Sequence, residues 1–133
     1  MKVDLKHTYC QIPVHPQDRH LLGVMWNEEV FVDRALSFGL RSAPKIISAV
    51  SDLIAWSFHR VSTRHHIHWF DDFILLLPSS SRGTALVLLV LVLATLDHLV
   101  FHVSRGEMVG PATCITFLGV LINTESSWWL ERG

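Results

Sequence analysis

The sequence predicts an α+β fold in which an antiparallel sheet packs on helices, and three observations lead there. Two strongly apolar runs, Ile67-His68-Trp69-Phe70 and Phe73-Ile74-Leu75-Leu76-Leu77, bracket an Asp71-Asp72 pair, the pattern of two strands joined by a tight turn. Ile46, Val50, Leu53 and Ser57, with Ile47, Ile54 and Phe58 alongside, recur at helical intervals and form a core-facing stripe. Residues 84–96 are apolar on every face, as in a helix with little solvent to meet.

In chain order, residues 2–5 read as a short strand, and residues 21–26 and 30–36 make a hairpin across Asn27-Glu28-Glu29. Ser42 can cap a helix running to about Arg60, with Pro44 in the first turn, where its missing N–H breaks no bond. Residues 66–70 and 73–77 are the arms of the Asp-Asp hairpin. Ser79-Ser80-Ser81-Arg82-Gly83 is a loop with a helix start, followed by the apolar helix and by strands near 99–103 and 115–122. No internal repeat is visible.

With 133 residues, half of them apolar, residues 1–133 make one domain with enough chain to bury a core. Cys10 and Cys114 are too few for a cysteine zinc site and read as buried thiols in a reducing, intracellular compartment. The first residues lack the apolar stretch of a secretory leader. The apolar helix imitates a membrane span, but its uninterrupted stretch ends at Asp97-His98, short of the roughly 20 residues that cross hydrocarbon. It is therefore expected to pack one face on a sheet and leave Leu and Val side chains exposed on the other. A formal net charge of −1 gives no overall basic surface for nucleic acid.

Adjacent carboxylates between two apolar strands want a cation, since each unit of pKa shift corresponds to about 1.4 kcal/mol between the charge states. An exposed Asp-Asp turn is the plain alternative. Three further stretches decide against it: Met1-Lys2-Val3-Asp4-Leu5-Lys6-His7-Thr8-Tyr9, then Ala35-Leu36-Ser37-Phe38-Gly39-Leu40-Arg41-Ser42-Ala43-Pro44, and later Cys114-Ile115-Thr116-Phe117-Leu118-Gly119-Val120. With the Asp-Asp hairpin, they occur in the order of motifs A, B, C and E, and the chain resembles a reverse transcriptase palm over almost its whole length. Gln11-Ile12-Pro13-Val14-His15-Pro16, Asp18-Arg19-His20-Leu21-Leu22-Gly23 and Gly110-Pro111-Ala112-Thr113 are closest in flavour to DIRS-like retrotransposons.

The resemblance implies an RNA-directed DNA polymerase that extends a primer on an RNA or DNA template with deoxynucleoside triphosphates. It implies two Mg2+ ions about 4 Å apart, with Mn2+ as a possible substitute, held by Asp4 and Asp71, with Asp72 as a weaker third carboxylate. By the same likeness Tyr9 lies under the incoming sugar, where a ring excludes a 2′-hydroxyl, Phe38 and Gly39 flank the nucleotide, and Phe117, Leu118 and Gly119 contact the primer strand. Only three residues precede Asp4 and fourteen follow Gly119, so fingers and thumb would be largely missing and would come from a longer polyprotein.

Several positions depart from the family pattern. Trp69 stands for the usual Tyr, Phe70 is bulky, Ser37 replaces Pro, and Thr8 replaces a small residue. Where a motif D lysine is expected, the chain has Arg105-Gly106-Glu107, and Glu107 there reverses the charge. The isolated chain is accordingly expected to be inactive. The alternative is a catalytically dead, transposon-derived remnant acting as a structural or binding module. A small membrane protein built on residues 84–103 is the weakest alternative. His66 and His68 would share a strand face at a zinc-compatible spacing, but two ligands without a third make no site.

Overall fold

Phe73, Ile74 and Leu75 are all buried, which an alternating strand does not allow unless both of its faces are covered. The computed structural model, described for residues 1–61, 65–77 and 82–125, shows how this comes about. The three residues lie in β5 (Asp72–Leu76), the middle strand of an antiparallel sheet between β1 (Lys2–Asp4) and β4 (His65–Trp69). On one face Phe73 and Leu75 join Val3 and Leu5 against α2 (Ala43–Arg60) and α3 (Arg82–His98), which contribute Ile54, Ala55, Phe58, Val92 and Leu96. On the other face Ile74 is covered by Ile115, Phe117 and Ile122 of a hairpin, β6 (Cys114–Phe117) and β7 (Val120–Asn123). The architecture is thus α+β, as predicted.

α2 begins where Ser42 and Pro44 place it, although the Ser42 side chain makes no capping hydrogen bond. Its buried face is one step round from the predicted stripe: Ile47, Ser51, Ile54, Ala55 and Phe58 are buried, whereas Leu53 is 54% exposed and Ile46 also meets solvent. α3 buries Ala85, Leu88, Val92 and Leu96 and leaves Leu86, Val87, Val90 and Leu91 exposed, the one-sided packing expected of it. Among the described residues no helix is long and apolar enough to cross a membrane.

The predicted strands need four corrections. The predicted hairpin over 21–26 and 30–36 is shorter, a 3-10 turn at Arg19–Leu22 followed by β2 (Gly23–Trp26) and β3 (Glu29–Val32), because Asn27 and Glu28 alone form the turn, both at positive φ. The arms of the Asp-Asp hairpin begin one residue earlier than predicted. Residues 99–103 form no strand; a single bridge, Leu5↔Val103, remains. The predicted strand at 115–122 is folded in two by Leu118 and Gly119, at φ 49° and 79°, a two-residue turn whose twist suits a hairpin. A short helix, α1 (Thr8–Gln11), was not foreseen, and its Cys10, like Cys114 of β6, is exposed where a buried thiol is expected. Of the predicted loop at 79–83, residues 79–81 lie outside the described residues.

α3 ends in a Schellman motif: Phe101 N–H donates to Leu96 O and Val100 N–H to Asp97 O, both at 2.9 Å. The left-handed position is held by Val100 at φ 64°, a β-branched residue that is 75% exposed. A side chain there costs about 1–2 kcal/mol of backbone strain and contributes little packing. Val100→Gly should therefore raise stability by about 1 kcal/mol, net of the entropy that glycine adds to the unfolded chain. Urea unfolding measures this, and an unchanged or lower midpoint contradicts it.

Candidate active site

The strand register brings the sequence-predicted acids together. Asp4 is the cross-strand partner of Asp72, and Leu5 N–H donates to Asp71 O at 3.0 Å. Cross-strand partners project to the same face, so Asp4, Asp72 and Lys2 stand on the face away from the helices, beyond the part that β6 and β7 cover. Lys2 Nζ lies 3.1 Å from Asp72 Oδ1, a diagonal ion pair across β1 and β5.

A fourth carboxylate joins them. The segment after α3 runs beside β1: Lys2 and Val109 exchange backbone hydrogen bonds at 2.9 and 3.0 Å, and Ser104 N–H donates to Asp4 O at 2.8 Å. Between these anchors the chain turns, Glu107 N–H donating to Ser104 O at 3.0 Å, and the Glu107 side chain hydrogen-bonds that of Asp4. Burial, the bond to Glu107 and the charges of Asp72, Glu107 and Asp71 push the Asp4 carboxyl up from an ordinary value of 3.8 to about 7. Burial also raises Asp71, together with the charges of Asp72 and Glu107, against a backbone hydrogen bond and the charge of Lys2 that lower it.

The folded chain therefore keeps a proton on Asp4 that the unfolded chain releases above about 3.8. The associated stabilisation is present below that value and lost as pH rises through about 7. Thermal stability should fall from pH 5 to pH 8 more steeply in the parent than in Asp4→Asn. Equal slopes for the two proteins contradict the shift.

The donor chemistry is that of a hard divalent cation: carboxylate oxygens in excess over the lone Lys2. Among the described residues, however, no three His, Cys, Asp or Glu side chains converge as a metal-holding group, Asp72 being paired with Lys2 and Asp4 with Glu107. His66 and His68 do share a face, but it is the helix face. His68 Nε2 lies 3.1 Å from Asp52 Oδ1 of α2, and its ring stacks on Phe73 at 5.5 Å.

The turn that carries Asp71 is fixed from beneath. The residue before it, Phe70, adopts φ 52°, a costly conformation for a side chain of that size. Ser51, fully buried on α2, donates its hydroxyl to Phe70 O, with Ile47 O also within 3.0 Å. Sequence reasoning missed Ser51; a lone serine at a position whose helical neighbours are buried is the signal that was there to find.

Tyr9 and Phe38 meet although 29 positions apart in sequence, their ring centroids 4.3 Å from each other. Tyr9 is half-buried and packs on the cluster of Leu36, Ala43 and Ile47, which Ile12, Leu40 and Phe70 also flank. The backbone explains the approach: Leu36 N–H donates to Ile12 O and Val14 N–H to Arg34 O, both at 2.9 Å, tying the stretch after α1 to the stretch before α2. Phe38 is 77% exposed, and Gly39 follows it in open space at φ 83°, a left-handed conformation that itself favours glycine. Phe117 is buried on Ile74, while Leu118 and Gly119 sit at the exposed hairpin tip.

Neither a protein-family profile nor a curated protein sequence matches the chain. Its fold does match solved structures. The chain resembles the foamy viral protease-reverse transcriptase in complex with RNA/DNA hybrid at a TM-score of 0.80 and 19% identity, over 92% of this chain and 16% of that one. For the foamy viral enzyme in complex with dsDNA the TM-score is 0.80 at 18% identity, over 93% and 25%. The prototype foamy virus enzyme, in a CSH mutant, gives 0.76 at 18% identity, over 92% and 16%. The chain has a reverse transcriptase-like fold and spans a quarter or less of the length of these proteins.

Proposed function

We propose that these 133 residues are the palm of an RNA-directed DNA polymerase from a retroelement, a nucleotidyltransferase that adds deoxynucleotides to a primer on an RNA or DNA template. The observation that carries the reading is the register that sets Asp4 opposite Asp72 and beside Asp71, on the sheet face away from the helices of a reverse transcriptase-like fold. Two of the similar structures hold RNA/DNA hybrid or dsDNA, which supports nucleic acid as the partner. The DIRS-like origin rests on the Gln11–Gly23 and Gly110–Thr113 motifs of the sequence alone.

Asp4 and Asp71 would hold divalent magnesium, with Asp72, paired with Lys2 in this structure, as the weaker third carboxylate. When bound, the ions supply a nucleophilic primer hydroxyl and charge stabilisation on the leaving pyrophosphate. The chain's own residues position the rest. The Tyr9 ring, in contact with Phe38, would form the floor under the sugar, where a ring excludes a 2′-hydroxyl. The Ser51 hydroxyl keeps the Asp71-Asp72 turn in register with β1. The Phe117-Leu118-Gly119 tip contacts the primer strand.

A second reading, a catalytically dead remnant, draws on Glu107. A carboxyl hydrogen-bonded to Asp4 competes with any cation for it, and a lysine is expected in its place. The two readings separate in one experiment. The 133-residue chain alone should extend no primer above background and bind primer-template weakly, with a shallow salt dependence. Joined to the fingers and thumb of a foamy viral enzyme, it should extend a primer on RNA with magnesium. A soluble, folded chimera without that activity supports the remnant.

A further inference from the structure

The segment after α3 reaches the acids on few backbone bonds. Residues 99–109 form no strand with β1: Lys6 N–H donates to His102 O at 2.9 Å, Ser104 N–H donates to Asp4 O at 2.8 Å, and the pair exchanged by Lys2 and Val109 closes the far end. Phe101, Val103 and Met108 are only partly buried against the core. A strip with so few buried contacts opens locally unless something else ties it down. It nevertheless carries Glu107, the residue that meets Asp4.

Gln11 is that tie. Its side-chain amide does for His102 what a neighbouring strand would do: Oε1 accepts from His102 N–H at 2.7 Å, and Nε2 donates to His102 O at 3.3 Å and to Lys6 O. Both backbone groups of His102 are thereby paired, at a place where no strand continues the ladder. The base from which Gln11 reaches is fixed independently of the segment. His7, at φ 49°, turns the chain out of β1 into α1, and the buried Thr8 donates its hydroxyl to Leu5 O at 3.3 Å. Just after Gln11, Ile12 O accepts from Leu36 N–H at 2.9 Å.

We propose that Gln11 is a positioning residue of the active site, holding residues 102–108 on β1 so that residue 107 stands at Asp4. In the polymerase reading, on which this rests, Gln11 touches neither substrate nor metal. It acts through the turn beyond Ser104, where Glu107 and Met108 N–H donate to Ser104 O at 3.0 and 3.1 Å, so that the turn moves with its anchor. A plain brace would also add stability; only a positioning residue decides whether the side chain at 107 exerts its effect.

Gln11→Met keeps the length of the side chain and removes its hydrogen bonds. In the 133-residue chain, amide hydrogen exchange at His102 and Ser104 should quicken about tenfold or more, while Leu75 N–H, bonded to Met1 O in the sheet, keeps its rate. Unchanged exchange at His102 and Ser104 overturns the proposal, as does an equal rise at Leu75, which is loss of stability alone. In the chimera with fingers and thumb, Glu107→Lys is expected to raise primer extension, and in the Gln11→Met background that gain should shrink to within about twofold of none. A plain brace lowers both backgrounds by the same factor, so a gain left intact also overturns the proposal. An inactive chimera bears on the polymerase reading alone, and the exchange rates then decide.

Discussion

Asp71→Asn should lower primer extension by about 10²–10³-fold or more in the chimera described above, the loss typical of removing one group that stabilises developing charge in a closed site. The expectation follows from what surrounds each acid. The Asp71 carboxyl is raised by burial and by the charges of Asp72 and Glu107, with the charge of Lys2 opposing them, so its negative charge is costly unless a cation accepts it. Asp72 already has Lys2 at 3.1 Å, so Asp72→Asn should cost less than Asp71→Asn. Glu107→Lys should raise activity, because it frees Asp4 of a competing carboxyl and restores the motif D lysine that the resemblance expects. Steady-state extension with saturating magnesium measures all three. Unchanged activity in Asp71→Asn sinks the ligand assignment.

The acids were legible because their meaning is local in each motif: an acid closing a short strand, and a pair between two apolar runs. Their meeting needed only that both motifs share a sheet. Glu107 was legible as a reversed charge but not as the partner of Asp4. Its approach depends on backbone pairing of Lys2 with Val109, which involves side chains of no particular period and leaves no mark in the sequence. The turn at Leu118-Gly119 was hidden for a different reason. A leucine at φ 49° breaks the usual rule for such turns, so an apolar run hid two strands as one. The stripe on α2 was read one step out because Leu53 and Ile46 outrank Ser51 in hydrophobicity, yet Ser51 is the residue turned inward, to serve the hairpin. A hydrogen bond to the hairpin here overrides the binary pattern at one buried position.

The same central strand sets the largest effect on stability. Phe73 is fully buried, packs edge-to-face on Phe58 at 5.5 Å and 78°, and carries the His68 ring on its other side. It thereby joins β5 to both α2 and β4. Phe73→Ala removes that ring from a layer bounded by two helices and a sheet, which cannot all collapse on the gap. The cost should be about 3–5 kcal/mol, a large share of the roughly 5–15 kcal/mol that holds a domain together. Ile67→Ala, one strand away but 57% exposed on the opposite face, should change stability by no more than about 0.5 kcal/mol. Urea unfolding followed by circular dichroism compares the two. At a slope of about 1–3 kcal/mol per molar urea, the Phe73 midpoint should fall by more than about 1 M, or the chain should be unfolded in water. Phe73→Ala and Ile67→Ala unfolding at the same urea concentration would mean that the layer under the acids is not what holds them in register.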